Sequence, residues 1–84
     1  MNHDVNSMSA SFAKKLKEER EKYAKLTVRQ MAELLGIPIE TYRNYESVGV
    51  RHREPDLDML LKIARVLEVS IDYLLGNEKN LHTF

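Results

Sequence analysis

The sequence predicts an all-α domain of five short helices. Two observations predict it: apolar residues recur every three to four positions in five stretches bounded by capping residues or glycines, and no stretch alternates with the period of a strand. At 84 residues the chain is a single domain, since domains run to ~100–200 residues. Its 13 Lys+Arg, 13 Asp+Glu, 43% hydrophobic residues, 3 Gly, 2 Pro and absent Cys exclude a disulfide scaffold, a collagen-like repeat and a low-complexity linker. A chain this small buries only about 60% of its unfolded surface, which leaves little room for an enclosed substrate cavity and favours a binding module over an enzyme. No apolar run exceeds three residues, as at Met59–Leu61, so neither a membrane span nor a signal-peptide core is expected, and the expected location is the cytoplasm. There is no internal repeat.

The elements follow in order. Residues 1–9 are polar and aperiodic and read as a flexible arm, residues 1–10 in domain terms, ending at a Ser9 or Ser11 cap. In the first helix Phe12, Leu16, Arg20 and Tyr23 share one face, while Lys and Glu four apart, such as Glu18 and Lys22, line the outside. Arg20 falls within the apolar stripe, where an unpaired guanidinium would cost several kcal/mol, so it requires an anionic partner. Thr27 followed by Gln30 is a capping box, and Val28, Met31, Ala32 and Leu35 give the second helix its apolar face. Gly36 ends that helix in a left-handed cap, and Pro38 suits the entrance of a third, about Pro38 to Glu46. On this third helix Tyr42 and Tyr45 point one way, and Ile39, Glu40, Arg43 and Asn44 the other. Residues 47–55 form a loop with a basic cluster, Arg51, His52 and Arg53. The fourth helix, about Asp56 to Leu67, is apolar nearly all round, leaving Asp58, Lys62 and Arg65 as its polar stripe, and is expected at the centre of the bundle. Ser70 caps a last short helix, Ile71 to Leu75, stopped by Gly76; residues 11–76 form the domain and 77–84 a tail.

Charge is distributed unevenly. Residues 10–53 carry ten Lys/Arg against six Glu, and residues 54–84 three against six acidic residues, so a net +4 segment precedes a net −3 segment. Such asymmetry points to a polyanionic partner on the basic side, although a solvated Lys/Glu helix face has the same composition. The second helix, its glycine turn and the third helix have the form of a helix-turn-helix, in which the second helix of the pair lies in the DNA major groove.

The string LTVRQMAELLGIPIETYRNYE, a loop ending in Pro55, and LLKIARVLEVSIDYLLG together resemble the Cro/C1-type (Xre family) helix-turn-helix transcriptional regulators over about Phe12 to Gly76, most strongly at Ala32, Gly36 and VSIDYLLG. The resemblance implies a five-helix lambda-repressor-like fold that binds double-stranded DNA as a small transcriptional regulator, a repressor in a prophage-like setting. It places Ile39, Glu40, Arg43 and Asn44 on base edges: Arg43 suits guanine O6/N7, Asn44 adenine N6/N7, Glu40 cytosine N4, and Ile39 a thymine methyl. Thr27, Arg29, Gln30, Thr41, Arg51 and Arg53, with Lys25, are the candidates for phosphate contact. The family commonly carries Gln where this chain has Val28. The chain also has one additional residue before Thr27, in REKYAKLT, and a longer loop after Glu46. The family's internal ion pair corresponds to Arg20 and Glu46, a structural salt bridge. Because one module binds weakly, a homodimer on an inverted repeat is expected, with Val69, Ile71, Tyr73, Leu81 and Phe84 as interface candidates.

Catalysis is not expected. His3, His52 and His82 lack metal-ligand spacing, Cys is absent, and there is no glycine-rich phosphate loop or nucleophile elbow, so neither catalytic residues, metal, cofactor nor small-molecule ligand is anticipated. The competing reading is a protein-binding antitoxin or anti-repressor on the same fold, towards which Val28 and Glu40 point.

Overall fold

A computed structural model describes residues 4–77, with side chains from Ala10 onward. Among these residues the chain is entirely helical: α1 (Asp4–Glu18), a π-helical turn (Glu19–Ala24), α2 (Val28–Leu35), α3 (Ile39–Glu46), α4 (Leu57–Leu67) and α5 (Ile71–Leu74). The termini follow local chemistry. Thr27 and Gln30 form the reciprocal capping box, Asp56 accepts from the Met59 N–H, and Ser70 accepts from the Tyr73 N–H. Gly36 closes α2 at φ 72°, a backbone region that costs other residues a Cβ clash.

One N-terminal expectation is corrected. The helix opens at Asp4, ahead of the Ser9 or Ser11 cap, so the boundary between residues 10 and 11 lies inside α1. No Gly or Pro precedes Gly36 to interrupt the helix.

The far end of the same helix departs from α-periodicity. The π turn takes up one more residue than an α-turn, and it falls within the REKYAKLT segment where the resemblance implies an additional residue. It closes with Lys25 in the left-handed region, φ 56°, and the Lys25 and Leu26 N–H groups both donate to the Arg20 carbonyl. The face of the helix rotates accordingly. Tyr23, expected in the apolar stripe, is 58% exposed, while Glu19 is buried.

The core draws on all five helices, with Leu16, Met31, Tyr42, Ile63 and Leu74 fully buried. Tyr42 and Tyr45 meet edge to face, ring centres 6.2 Å apart, a preferred aromatic geometry. The central position expected of α4 is corrected too. Ile63, Ala64 and Leu67 face inward, but Leu57 is 68% exposed and Leu61 38%, leaving an apolar flank outside. An α-helix on the edge of a five-helix bundle has neighbours on only part of its circumference, and among the described residues no further element covers the rest.

Candidate nucleic-acid interface

The helix-turn-helix is built by α2, the Gly36 turn and α3. Pro38 gives α3 its N-cap backbone, φ −62° and ψ 146°, without a side-chain cap, so the leading N–H groups of α3 are left to outside acceptors. The helix is anchored on its inner face. Arg20 Nε donates to Glu46 Oε2 at 2.7 Å and Arg20 Nη2 to Glu46 Oε1 at 3.0 Å, a two-pronged bridge between side chains that are both over 90% buried. Arg20 Nη1 also donates to the Leu26 carbonyl at 2.9 Å, and the Tyr42 hydroxyl donates to Glu46 Oε2. The Glu46 hydrogen bond, against the opposing effect of burial, raises the Arg20 pKa, and burial followed by the Glu46 contact raises that of Tyr42. The Arg20–Glu46 pair thus joins the π turn, the Leu26 carbonyl just before α2 and the last turn of α3.

On the outer face Glu40 and Arg43 are exposed, with Glu40 Oε1 3.6 Å from Arg43 Nη1. Asn44 and Thr41 are half-buried, and Ile39 leans back against the core, so the four candidate base readers are unequally presented. Thr27, Arg29 and Gln30 are exposed at the leading end of α2. Gln30 Oε1 is engaged by the Thr27 N–H at 2.8 Å, so the donor that this side chain can still offer is its amide NH2. Val28, at the position of the family's Gln, is half-buried and packs on the core.

The loop after α3 is fastened to that helix. The Arg53 N–H donates to the Asn44 carbonyl at 3.0 Å, Ser47 Oγ donates to the Arg43 carbonyl at 3.0 Å, and His52 Nδ1 lies 2.8 Å from the Ser47 carbonyl oxygen. Arg51 and Arg53 are exposed on this fastened loop. His52, read from the sequence only as a member of the loop's basic cluster, has a side chain just 13% exposed, and its Nδ1 serves the loop; no spacing rule signals that.

The interface candidates separate. Val69 and Ile71 are half-buried beside Leu61 along an open groove at the α4–α5 junction, whereas Tyr73 turns inward. Its hydroxyl donates to the buried Glu19 carboxylate at 2.8 Å, and Lys15 Nζ stands 4.6 Å from its ring centre. A residue spent on an internal contact is not available to a second copy. Leu81 and Phe84 lie outside the described residues. Among the described residues no cluster of three or more potential metal ligands occurs, and no helix is long and apolar enough to cross a membrane.

Residues 16–74 match a family model described as helix-turn-helix, which spans the anchored pair and its supporting helices. The chain belongs to this family, of the Cro/C1 type. It is 44% identical over 73 residues to a Bacillus subtilis protein named uncharacterized HTH-type transcriptional regulator YqaE, covering 87% of this chain and 60% of that protein. It is 44% identical over 69 residues to the B. subtilis HTH-type transcriptional regulator ImmR, covering 82% and 51%. It is 45% identical over 51 residues to the cryptic phage CTXphi transcriptional repressor RstR of Vibrio cholerae, covering 60% and 42%. The chain therefore spans between about two-fifths and three-fifths of these relatives. No solved structure matches it significantly.

Proposed function

We propose that the chain binds double-stranded DNA in a sequence-specific manner and represses transcription as a homodimer on an inverted repeat. The observation that carries this reading is the two-sided construction of α3: Tyr42, Tyr45 and Glu46 secure its inner face, while Glu40 and Arg43 stand in solvent on the outer one. An anchored helix with free long polar side chains is suited to a groove that presents distinct hydrogen-bonding edges. Arg43 and Asn44 read bases, with Ile39 supplying apolar contact. Thr27, Arg29, Gln30, Thr41, Arg51 and Arg53 hold phosphates from the α2 end and from the fastened loop.

The second copy sits on the apolar flank of α4 and α5. Leu57 and Leu61 continue into Val69 and Ile71, and Arg65 shares the groove with Glu68 and Asp72, so a two-fold axis would bring opposite charges together around an apolar centre. Relatives named as transcriptional regulators and a phage repressor support the reading.

Selection from a random duplex pool, followed by anisotropy titration, tests it. Enrichment of an inverted repeat with half-sites ~34–36 Å apart, lost in Arg43→Ala with Asn44→Ala, is the expected result. Absence of enrichment together with a log–log salt slope near zero would reject DNA binding in favour of a protein partner.

A further inference from the structure

The ion pair on the outer face of α3 has a second consequence. Glu40 lies in the first turn of α3, where the helix dipole favours a carboxylate, and it stands among the residues that would approach a polyanion. With side chains 70% and 58% exposed, the Glu40–Arg43 contact contributes little to folding. Glu40 Oε1 lies 3.6 Å from Nη1, an ion-pair distance that biases the guanidinium's orientation without a hydrogen bond and lies away from the Nε–Nη2 edge, whose two parallel donors have the spacing that guanine O6 and N7 accept. Pairing also offsets the charge that would otherwise draw Arg43 to any phosphate. Entry into a groove removes water from the pair and strengthens it, but only where Arg43 keeps an orientation compatible with both Glu40 and a base.

We propose that Glu40 is a positioning residue: it orients Arg43 on a guanine and penalises non-specific DNA, and does not read a separate base of its own. The proposal rests on the reading that α3 enters the major groove. Glu40 is then a source of specificity through repulsion from the wrong sites as well as through alignment at the right one.

The test measures base preference at each position of the selected operator, and affinity for a scrambled duplex, for the full chain and for Glu40→Gln, Arg43→Lys and the double variant. Circular dichroism verifies folding, which these exposed positions leave intact. In Glu40→Gln the preference for guanine at the Arg43 position falls about tenfold, and affinity for the scrambled duplex rises several-fold, each within the range one bidentate base contact supplies. Arg43→Lys keeps the charge, loses the fork and abolishes that guanine preference, and adding Glu40→Gln then changes it no further. If Glu40→Gln instead alters preference at a different base pair and leaves the Arg43 guanine intact, or if the two effects add, Glu40 reads its own base and the proposal is wrong while DNA binding stands. If the unmodified chain selects no sequence, both readings fall together.

Discussion

Glu46 accepts three hydrogen bonds from two partners, Arg20 and Tyr42, and Glu19 accepts one from the Tyr73 hydroxyl. The first carboxylate accepts from Arg20 and from Tyr42, and truncating a buried, paired ion leaves the other charge stranded. Glu46→Gln should therefore lower unfolding free energy by about 3 kcal/mol in urea titration; an unchanged midpoint would show that the bridge carries no stability. Around Glu19, burial and then the hydrogen bond to Glu19 push the Tyr73 phenol up from its ordinary 10.0 to about 12. The folded state thus holds the phenolic proton more tightly than the unfolded chain. This contribution is complete below pH 10 and is lost as pH rises towards 12. Thermal melting followed across that window should fall more steeply in the unmodified chain than in Tyr73→Phe, which has no phenol there to ionise. At neutral pH the same variant should be less stable by about 1–3 kcal/mol, because a buried carboxylate has lost its donor.

The helices are bounded by chemistry visible within a few residues, and the exceptions are instructive. Thr27 and Gln30 sit three apart and cap α2 reciprocally, and Gly36 provides the left-handed turn, so both ends of α2 were readable from single residues. An added Cβ at Gly36 would meet nothing within 4 Å, so the cost of Gly36→Ala comes from the backbone alone, about 1–2 kcal/mol. Chemical denaturation of Gly36→Ala and Gly36→Asn should place Asn between Gly and Ala. A much larger loss in Ala would imply a packing role at the turn that the open space contradicts. The π turn was readable only as a count. The extra residue in REKYAKLT was visible, but a π turn has no composition of its own, and whether an added residue bulges a helix or lengthens a loop depends on what the following helix is tied to. Here Arg20 bonds both Glu46 and the Leu26 carbonyl, which holds the end of the helix in place.

On the scale of the whole molecule, the apolar flank of α4 and α5 and the outer face of α3 are surfaces that the described residues leave exposed. Leu57→Glu with Leu61→Glu changes side chains that are 68% and 38% exposed, so the monomer should keep its melting temperature within a few degrees. Sedimentation should then show the loss of dimer, and operator affinity should drop by at least an order of magnitude, because a lone module buries too little of the duplex surface. Retained dimerisation would move the interface away from this flank.

Periodicity, caps and glycines are local properties, and they determined the number and order of the helices, the limits of α2 to α5 within a residue or so, and the outward face of Glu40 and Arg43 on α3, but not the place of Ile39, which packs against the core. The resemblance in LTVRQMAELLG and VSIDYLLG set the family. What lay beyond reach were pairings between distant residues: Tyr73 reaches Glu19 across 54 positions, and no pattern within a window of one helix encodes that. The apolar pattern of α4 likewise states that Leu57 and Leu61 avoid water without stating against what, since burial in one's own core and burial against a second chain demand the same side chains. Only the tertiary arrangement, which buries Ile63, Ala64 and Leu67 and leaves Leu57 and Leu61 exposed among the described residues, shows which of these side chains the domain's own core takes up.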